Sequence, residues 1–297
     1  MTKPRKKVLI TGSAGFIGSH LSKALAPFYN IVGFDIVYSV FQNVTQKDMV
    51  AQFFEKERPD IVIHLAANPD VGKSMVYPQE DLFLNAVGTL NVLEACRKYP
   101  VEMMFLSSSA IVYGEMEKHA FTEGSPLKPI TPYGIGKITA EQYCNLYFRR
   151  FQVPIVIFRF FNMFGPRQLR SFAIPNIIAR IKEAKDSLEM FGTEKDTRDF
   201  TYVEDLCEAF RLAIEKKPIG MTLNVATGKD VPVVEIATII ARCLEKDIKF
   251  HYPQTSKEDI VRVTSLRGDN SLIKKTLGWL PKIPLEEGLK RTVQSFL

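Results

Sequence analysis

Along the chain, short apolar runs alternate with longer stretches in which apolar residues recur every three or four positions. The runs KVLIT (7–11), NIVGFD (30–35), DIVIHLA (60–66), VEMMFLSS (101–108) and PIVIFRF (154–160) lack the in/out alternation of a half-solvated strand. They predict strands covered on both faces. Helical periodicity is expected near 16–28, 46–57, 79–98 and 133–151, and strands separated by helices predict a doubly wound parallel sheet. After about residue 167 the pattern becomes mixed, with helices near 172–185, 203–215, 232–245 and 284–296 between short strands. The fold class is α/β. The reading divides the chain into a nucleotide-binding domain over 1–167, with returning segments near 200–226, and a smaller carboxy-terminal α/β domain over 168–297.

Composition changes this picture little. Hydrophobic residues make up 46% and charged residues 24% of 297, as in ordinary globular proteins. The net charge of +6 suits anionic partners, but the only basic cluster is Lys3 to Lys7. Neither a nucleic acid nor a membrane is expected as a partner, and the apolar run after that cluster is too short for a signal core or a span. Cys96, Cys144, Cys207 and Cys243 are widely spaced, as are His20, His64, His119 and His251. They point to reduced thiols in a cytoplasmic protein and to no metal site.

VLITGSAGFIGSHL combines a strand, a glycine-rich turn and a helix start. Gly12 permits the tight turn, Gly15 the approach of a pyrophosphate, and Gly18 the packing of helix on strand. Free amides at the helix start would face the anion. Asp35 ends the second run, where a carboxylate binds ribose hydroxyls and repels a 2′-phosphate. These features indicate a Rossmann domain and favour NAD over NADP.

TPYGIGK (131–137) opens a helix after the fourth strand and places Tyr133 and Lys137 four residues apart, on one face. The strand before it ends in SSSAIVYG, and ligands of such sheets sit at the carboxyl ends of strands. Ser107 to Ser109 would therefore converge with Tyr133 and Lys137 on the cofactor. A phenol is a poor base at neutral pH, and lowering its pKa by about 3 takes about 4 kcal/mol. The lysine and a positive nicotinamide ring are expected to supply much of that. Gly134 and Gly136 are expected to leave a bare helix face for cofactor or substrate.

TGSAGFIGSH, HLAA (64–67), SSSAIVYG, PYGIGK, RFFNMFGPRQ (159–168), TRDFTYVEDL (197–206) and LGWLP (277–281) occur in an order that resembles the extended short-chain dehydrogenases/reductases. Within that group the chain is most similar to the nucleotide-sugar 4-epimerases of the UDP-galactose 4-epimerase family. The resemblance implies Tyr133 as catalytic base, Lys137 as its partner and Ser109 as the third catalytic residue. It implies NAD held by Gly12, Gly15, Phe16, Ile17, Gly18, Asp35, Asn43, Val44, Leu65, Ala66, Ala67, Asn85, Ser107, Tyr133, Lys137 and Phe160. Substrate would meet Ser109, Tyr133, Asn162, Arg198 and Arg262, the last three on its phosphates.

Relatives that eliminate water or carbon dioxide tend to carry a glutamate after the third serine, where this chain has Ala110. The implied reaction is epimerisation of a nucleotide-diphosphate sugar at C4 through a 4-keto sugar, UDP-glucose/UDP-galactose in type. Three features depart from the family pattern: a trimmed segment after Asp35, Asn43 in place of an aspartate, and a tail, VRVTSLRGDNSLIKKTLGW, closer to GDP-sugar enzymes. They keep open an NAD(P)H-dependent 4-keto-sugar reductase, possibly GDP-linked. The helices near 79–98 and 133–151 match those of the family's four-helix contact, so a homodimer is expected.

Overall fold

The apolar runs become strands whose side chains are covered on both faces. In this computed structural model residues 5–115, 120–252 and 265–297 are described. The strands are β1 (Lys7–Thr11), β2 (Asn30–Phe34), β3 (Ile61–His64), β4 (Met103–Ser109), β5 (Ile155–Phe160), β6 (Asn162–Phe164), β7 (Ser187–Glu189), β8 (Thr197–Arg198), β9 (Phe200–Tyr202), β10 (Thr222–Val225), β11 (Val231–Pro232), β12 (Lys249–His251) and β13 (Ser265–Leu266). The helices are α1 (Phe16–Leu25), α2 (Lys47–Glu57), α3 (Val71–Val76), α4 (Pro78–Leu82), α5 (Gly88–Lys98), α6 (Pro132–Phe151), α7 (Ala173–Glu183), α8 (Val203–Lys216), α9 (Val233–Cys243), α10 (Ser271–Leu277) and α11 (Leu285–Gln294).

Six parallel strands form the main sheet in the order β10-β5-β4-β3-β1-β2. Alternate residues of each strand enter opposite cores. Val8, Ile10, Ile61, Ile63, Phe105 and Phe158 pack with Leu21 of α1 and Phe210 of α8. Leu9, Val62, Met104, Leu106 and Ile157 pack with Phe54 of α2, Leu93 of α5 and Cys144 of α6. A third core, including Phe164, Ile178, Ile236 and Leu289, joins α7, α9 and α11 in the carboxy-terminal part.

That part also returns to the sheet. β10 pairs with β5 at the edge, and Ile273, Leu277 and Trp279 enter the core that holds Val8. Trp279 Nε1 donates to the Asp205 carbonyl at 2.8 Å, and the Asp205 carboxylate accepts the backbone N–H groups of Lys282 and Ile283.

The single helix expected over 79–98 is instead α4 and α5 joined by a π-helical turn, Phe83–Val87. The wider turn carries Asn85, whose carbonyl accepts the Thr89 hydroxyl at 2.6 Å. π-turns inside helices are frequent at functional sites.

Candidate active site

The turn after β1 has the form a dinucleotide needs. Gly12 takes φ +71°, and a Cβ there would lie 2.8 Å from the Ala66 nitrogen, so no larger residue fits. A Cβ on Gly18 would lie 2.2 Å from the Gly12 carbonyl oxygen, which holds α1 tightly against the turn. Gly15 caps α1 with no side-chain acceptor, and the first turn of the helix carries no acid. Its amides and dipole therefore remain free for an anion. Phe16 and Ile17, partly buried, pack against the core beneath.

Asp35 follows β2. Its Oδ2 accepts the Ala14 N–H at 3.0 Å and its Oδ1 the Val37 N–H at 3.0 Å, which fixes the carboxylate beside the glycine turn. Lone pairs remain for ribose hydroxyls, while a phosphate would meet a fixed negative charge. The residues present thus fit NAD.

The other cofactor positions are mixed. Leu65, Ala66 and Ala67 are half-buried at the end of β3, with the Leu65 and Ala66 amides tied to Thr11. Val44 is buried against Gly88, and Asn43 uses its side-chain oxygen on Thr45. Phe160 lies in the core under the sheet end.

Helix α6 begins as its sequence dictates. Thr131 caps α6 by accepting the Gly134 N–H at 3.1 Å, and Pro132 occupies the first turn. Ser74 of α3, fully buried, accepts the Tyr133 N–H at 3.2 Å. Lys137 Nζ donates to the Ser107 carbonyl at 3.0 Å and lies 5.7 Å from the centre of the Tyr133 ring. Ser109 accepts the Ile111 N–H and faces the phenol as its hydrogen-bond partner. Ser109, Tyr133 and Lys137 are thus brought together at the carboxyl end of β4.

Two expectations need correction. Gly134 and Gly136 do not bare a face for ligand. A Cβ on Gly134 would lie 2.8 Å from the Pro129 side chain, and one on Gly136 would lie 3.3 Å from Asn85 and 3.4 Å from Asp81 Oδ2. The glycines let α6 approach its own protein neighbours. Lys137, moreover, does not outweigh burial at the phenol. Burial pushes Tyr133 up to about 12, Ser109 opposes this, and the Asp81 charge adds to it. The ammonium points at a carbonyl and is itself pushed down to about 8 by burial, with Asp81 and then Glu141 resisting.

Several contributing residues stand outside the sequence motifs. Glu141, one turn beyond Lys137, accepts from Arg159 Nε at 2.9 Å and from its terminal nitrogen at 2.7 Å, and also from the Ser108 hydroxyl. The i, i+4 spacing of Tyr133, Lys137 and Glu141 was the available clue. Ser108 lies between the two serines that contact Lys137 and Tyr133, so this clamp sets the register of α6 on β4 and β5.

His64 is also buried. The Thr11 hydroxyl, which accepts the Ala66 N–H, lies 2.7 Å from Nδ1, and Nε2 lies 3.1 Å from Thr89. Because Thr89 spends its proton on the Asn85 carbonyl, the hydrogen bonds fit a neutral ring protonated at Nε2. Burial holds its pKa down to about 3.

On the substrate side, Asn162 donates to the Asp199 carbonyl at 3.1 Å, and Asp199 binds Thr227, Gly228 and Gly268. Arg198, half-buried, donates to the Thr197 carbonyl at 2.8 Å, and burial lowers its pKa. Arg262 lies outside the described residues.

A family model described as "NAD dependent epimerase/dehydratase family" matches residues 8–226. The chain is similar to the putative UDP-glucose 4-epimerase of Methanocaldococcus jannaschii, with 32% identity over 96% of this chain and 97% of the relative. It is equally similar to the dTDP-D-glucose 4,6-dehydratase of Mus musculus, with 32% identity over 97% and 88%. The solved UDP-glucose 4-epimerase of Thermotoga maritima, holding UDP-glucose, superposes with a TM-score of 0.89 and 32% identity over 98% of both chains. Motif order, sheet topology and these likenesses agree: the chain belongs to the NAD-dependent epimerase/dehydratase family, as an extended short-chain dehydrogenase/reductase of the nucleotide-sugar group.

Proposed function

We propose that the protein epimerises a nucleotide-diphosphate sugar at C4, with UDP-glucose and UDP-galactose as the favoured pair. The observation that carries this reading is half-buried Ser109 set against buried Tyr133 and Lys137, with Ala110 next to Ser109 only 1% exposed and without a group to move a further proton. Bound NAD supplies a hydride acceptor, a hydride donor and a positive charge.

The chain's own residues handle the proton. Tyr133, acting as the phenolate, takes it from the C4 hydroxyl and, as the phenol so formed, returns it after the 4-keto sugar has turned over. Ser109 orients the reacting oxygen. Lys137, fixed on the Ser107 carbonyl, holds a positive charge near the phenol. Arg198 and Asn162, beside the Asp199 hub, are assigned to the diphosphate, where a guanidinium supplies paired donors.

The exposed apolar residues Leu82, Phe83, Ile135, Tyr143 and Leu146 on α4, α6 and the π-turn support a homodimer through this face. The test is incubation of purified protein with UDP-glucose, UDP-GlcNAc, UDP-glucuronate or GDP-mannose, followed by product analysis. C4 epimers formed without net change at 340 nm are expected. Stoichiometric NADH or NADPH consumption on a 4-keto sugar would replace this reading with a reductase.

A further inference from the structure

Thr11 and His64 lie opposite each other in neighbouring parallel strands, at the carboxyl ends of β1 and β3. Thr11 stands directly before Gly12. Its buried hydroxyl accepts the Ala66 N–H at 3.2 Å and lies 2.7 Å from His64 Nδ1, to which it donates. On the far side of the ring, Nε2 meets the Thr89 hydroxyl of α5 at 3.1 Å. The main chain of His64 faces a third direction. Its carbonyl accepts the Ser107 hydroxyl at 2.9 Å, and the Ser107 carbonyl in turn accepts from Lys137 Nζ. One buried residue therefore meets the glycine turn, α5 and the serine that holds the ammonium.

The rest of β3, Ile61 to Ile63, is aliphatic and buried. An aliphatic residue at position 64 would continue that pattern with no polar ring to satisfy. A buried imidazole between two buried hydroxyls is tolerable only while each of its bonds is kept. What the ring adds is direction. Gly12 approaches β3 so closely that a Cβ on it would lie 2.8 Å from the Ala66 nitrogen, and the proton on that nitrogen is the one Thr11 accepts. We propose that His64 is a positioning residue for the dinucleotide: its neutral ring, held by Thr89, orients the Thr11 hydroxyl and so sets how the glycine turn sits on the end of β3. The nearby hydroxyls cannot take its place, because Thr89 gives its proton to the Asn85 carbonyl and Ser107 gives its own to the His64 carbonyl.

The inference rests on the glycine turn as the pyrophosphate site, and its test needs no turnover. Glutamine can reproduce the uncharged ring, since its oxygen accepts from Thr11 while its nitrogen donates to Thr89. Leucine fills the space and does neither. NAD binding to the full chain is titrated directly, with UDP as the control for the sugar-nucleotide side. In His64→Leu the NAD dissociation constant should rise by about 10-fold or more, as for loss of a buried hydrogen bond, and UDP binding should stay within about 2-fold of the parent. In His64→Gln both should stay within about 3-fold. A leucine variant that binds NAD like the parent overturns the proposal, as does a glutamine variant that loses as much as leucine. Equal weakening toward NAD and UDP overturns it too, since that marks a general loosening of the fold. Should His64→Leu not fold, Thr89→Val removes the ring's second partner at nearly constant shape. The NAD dissociation constant should then rise by about 3-fold or more, and an unchanged value overturns the proposal. A parent that binds no NAD would instead remove the assignment of the turn, and one that binds NAD but no UDP would count against the nucleotide-sugar reading while the NAD titrations still decide the role of His64.

Discussion

Around Glu141 the buried charges are matched: two guanidinium nitrogens and one hydroxyl meet its two oxygens, and Arg159 spends a further nitrogen on the Tyr113 hydroxyl and the Glu123 carbonyl. One turn earlier on the same helix, Lys137 donates to the Ser107 carbonyl, and Asp81, buried against Gly136, keeps one oxygen without a hydrogen bond among the described residues. Both clusters are buried to a similar depth. The matched one fixes where α6 sits. The unmatched one leaves protonation states that small changes in charge can move, as an acid–base site requires.

The sharpest way to break this comparison is at the phenol. Tyr133→Phe should lower turnover by about 10³-fold or more, as expected for loss of a positioned proton acceptor, with denaturation curves close to the parent's. Next, Glu141→Ala strands Arg159 in the core and should cost about 3–5 kcal/mol in urea unfolding. Replacing both by apolar residues (Glu141→Met with Arg159→Leu) should recover much of that loss.

Lys137→Met sharpens the contrast. Since burial lowers this ammonium from its usual value to about 8, the folded chain disfavours its charge below that pH. The methionine variant should be inactive yet more stable than the parent at pH 7, by about 1–3 kcal/mol after allowance for Asp81. For the parent, this group's contribution to stability rises with pH between about 8 and the usual lysine value.

The smallest effect concerns His64. Its folded pKa lies below the unfolded value, so the unfolded chain binds the proton first as pH falls. Stability should drop below about pH 6.5, with a slope of up to about 1.4 kcal/mol per pH unit from this residue. His64→Gln should flatten that part of the acid-unfolding curve.

Elements with strong local signals were legible in the sequence: the five apolar runs, the glycine turn with Asp35, and α6 with its Thr131 cap and its Tyr133/Lys137 pair. What escaped depends on contacts between distant segments. Asp81 and Ser74 lie in short helices whose own periodicity is weak, and their roles come from packing on α6. The glycines of α6 were misread because a missing side chain does not reveal which neighbour approaches it. The direction of the Tyr133 shift depends on burial, which no spacing of residues reports.

The edge strand β10 has a consequence for how the protein is made. Phe105 and Phe158 of the inner strands are covered by α8, and the sheet beyond β5 is completed only when residues 222–225 arrive. Trp279 seals the same layer from still nearer the carboxyl end. A ribosome-bound chain halted near residue 167 would carry most of the cofactor half yet leave the part of one sheet face that α8 covers bare, prone to associate with other chains. Such a fragment should collect as aggregates, whereas chains extended past residue 280 should reach the folded state.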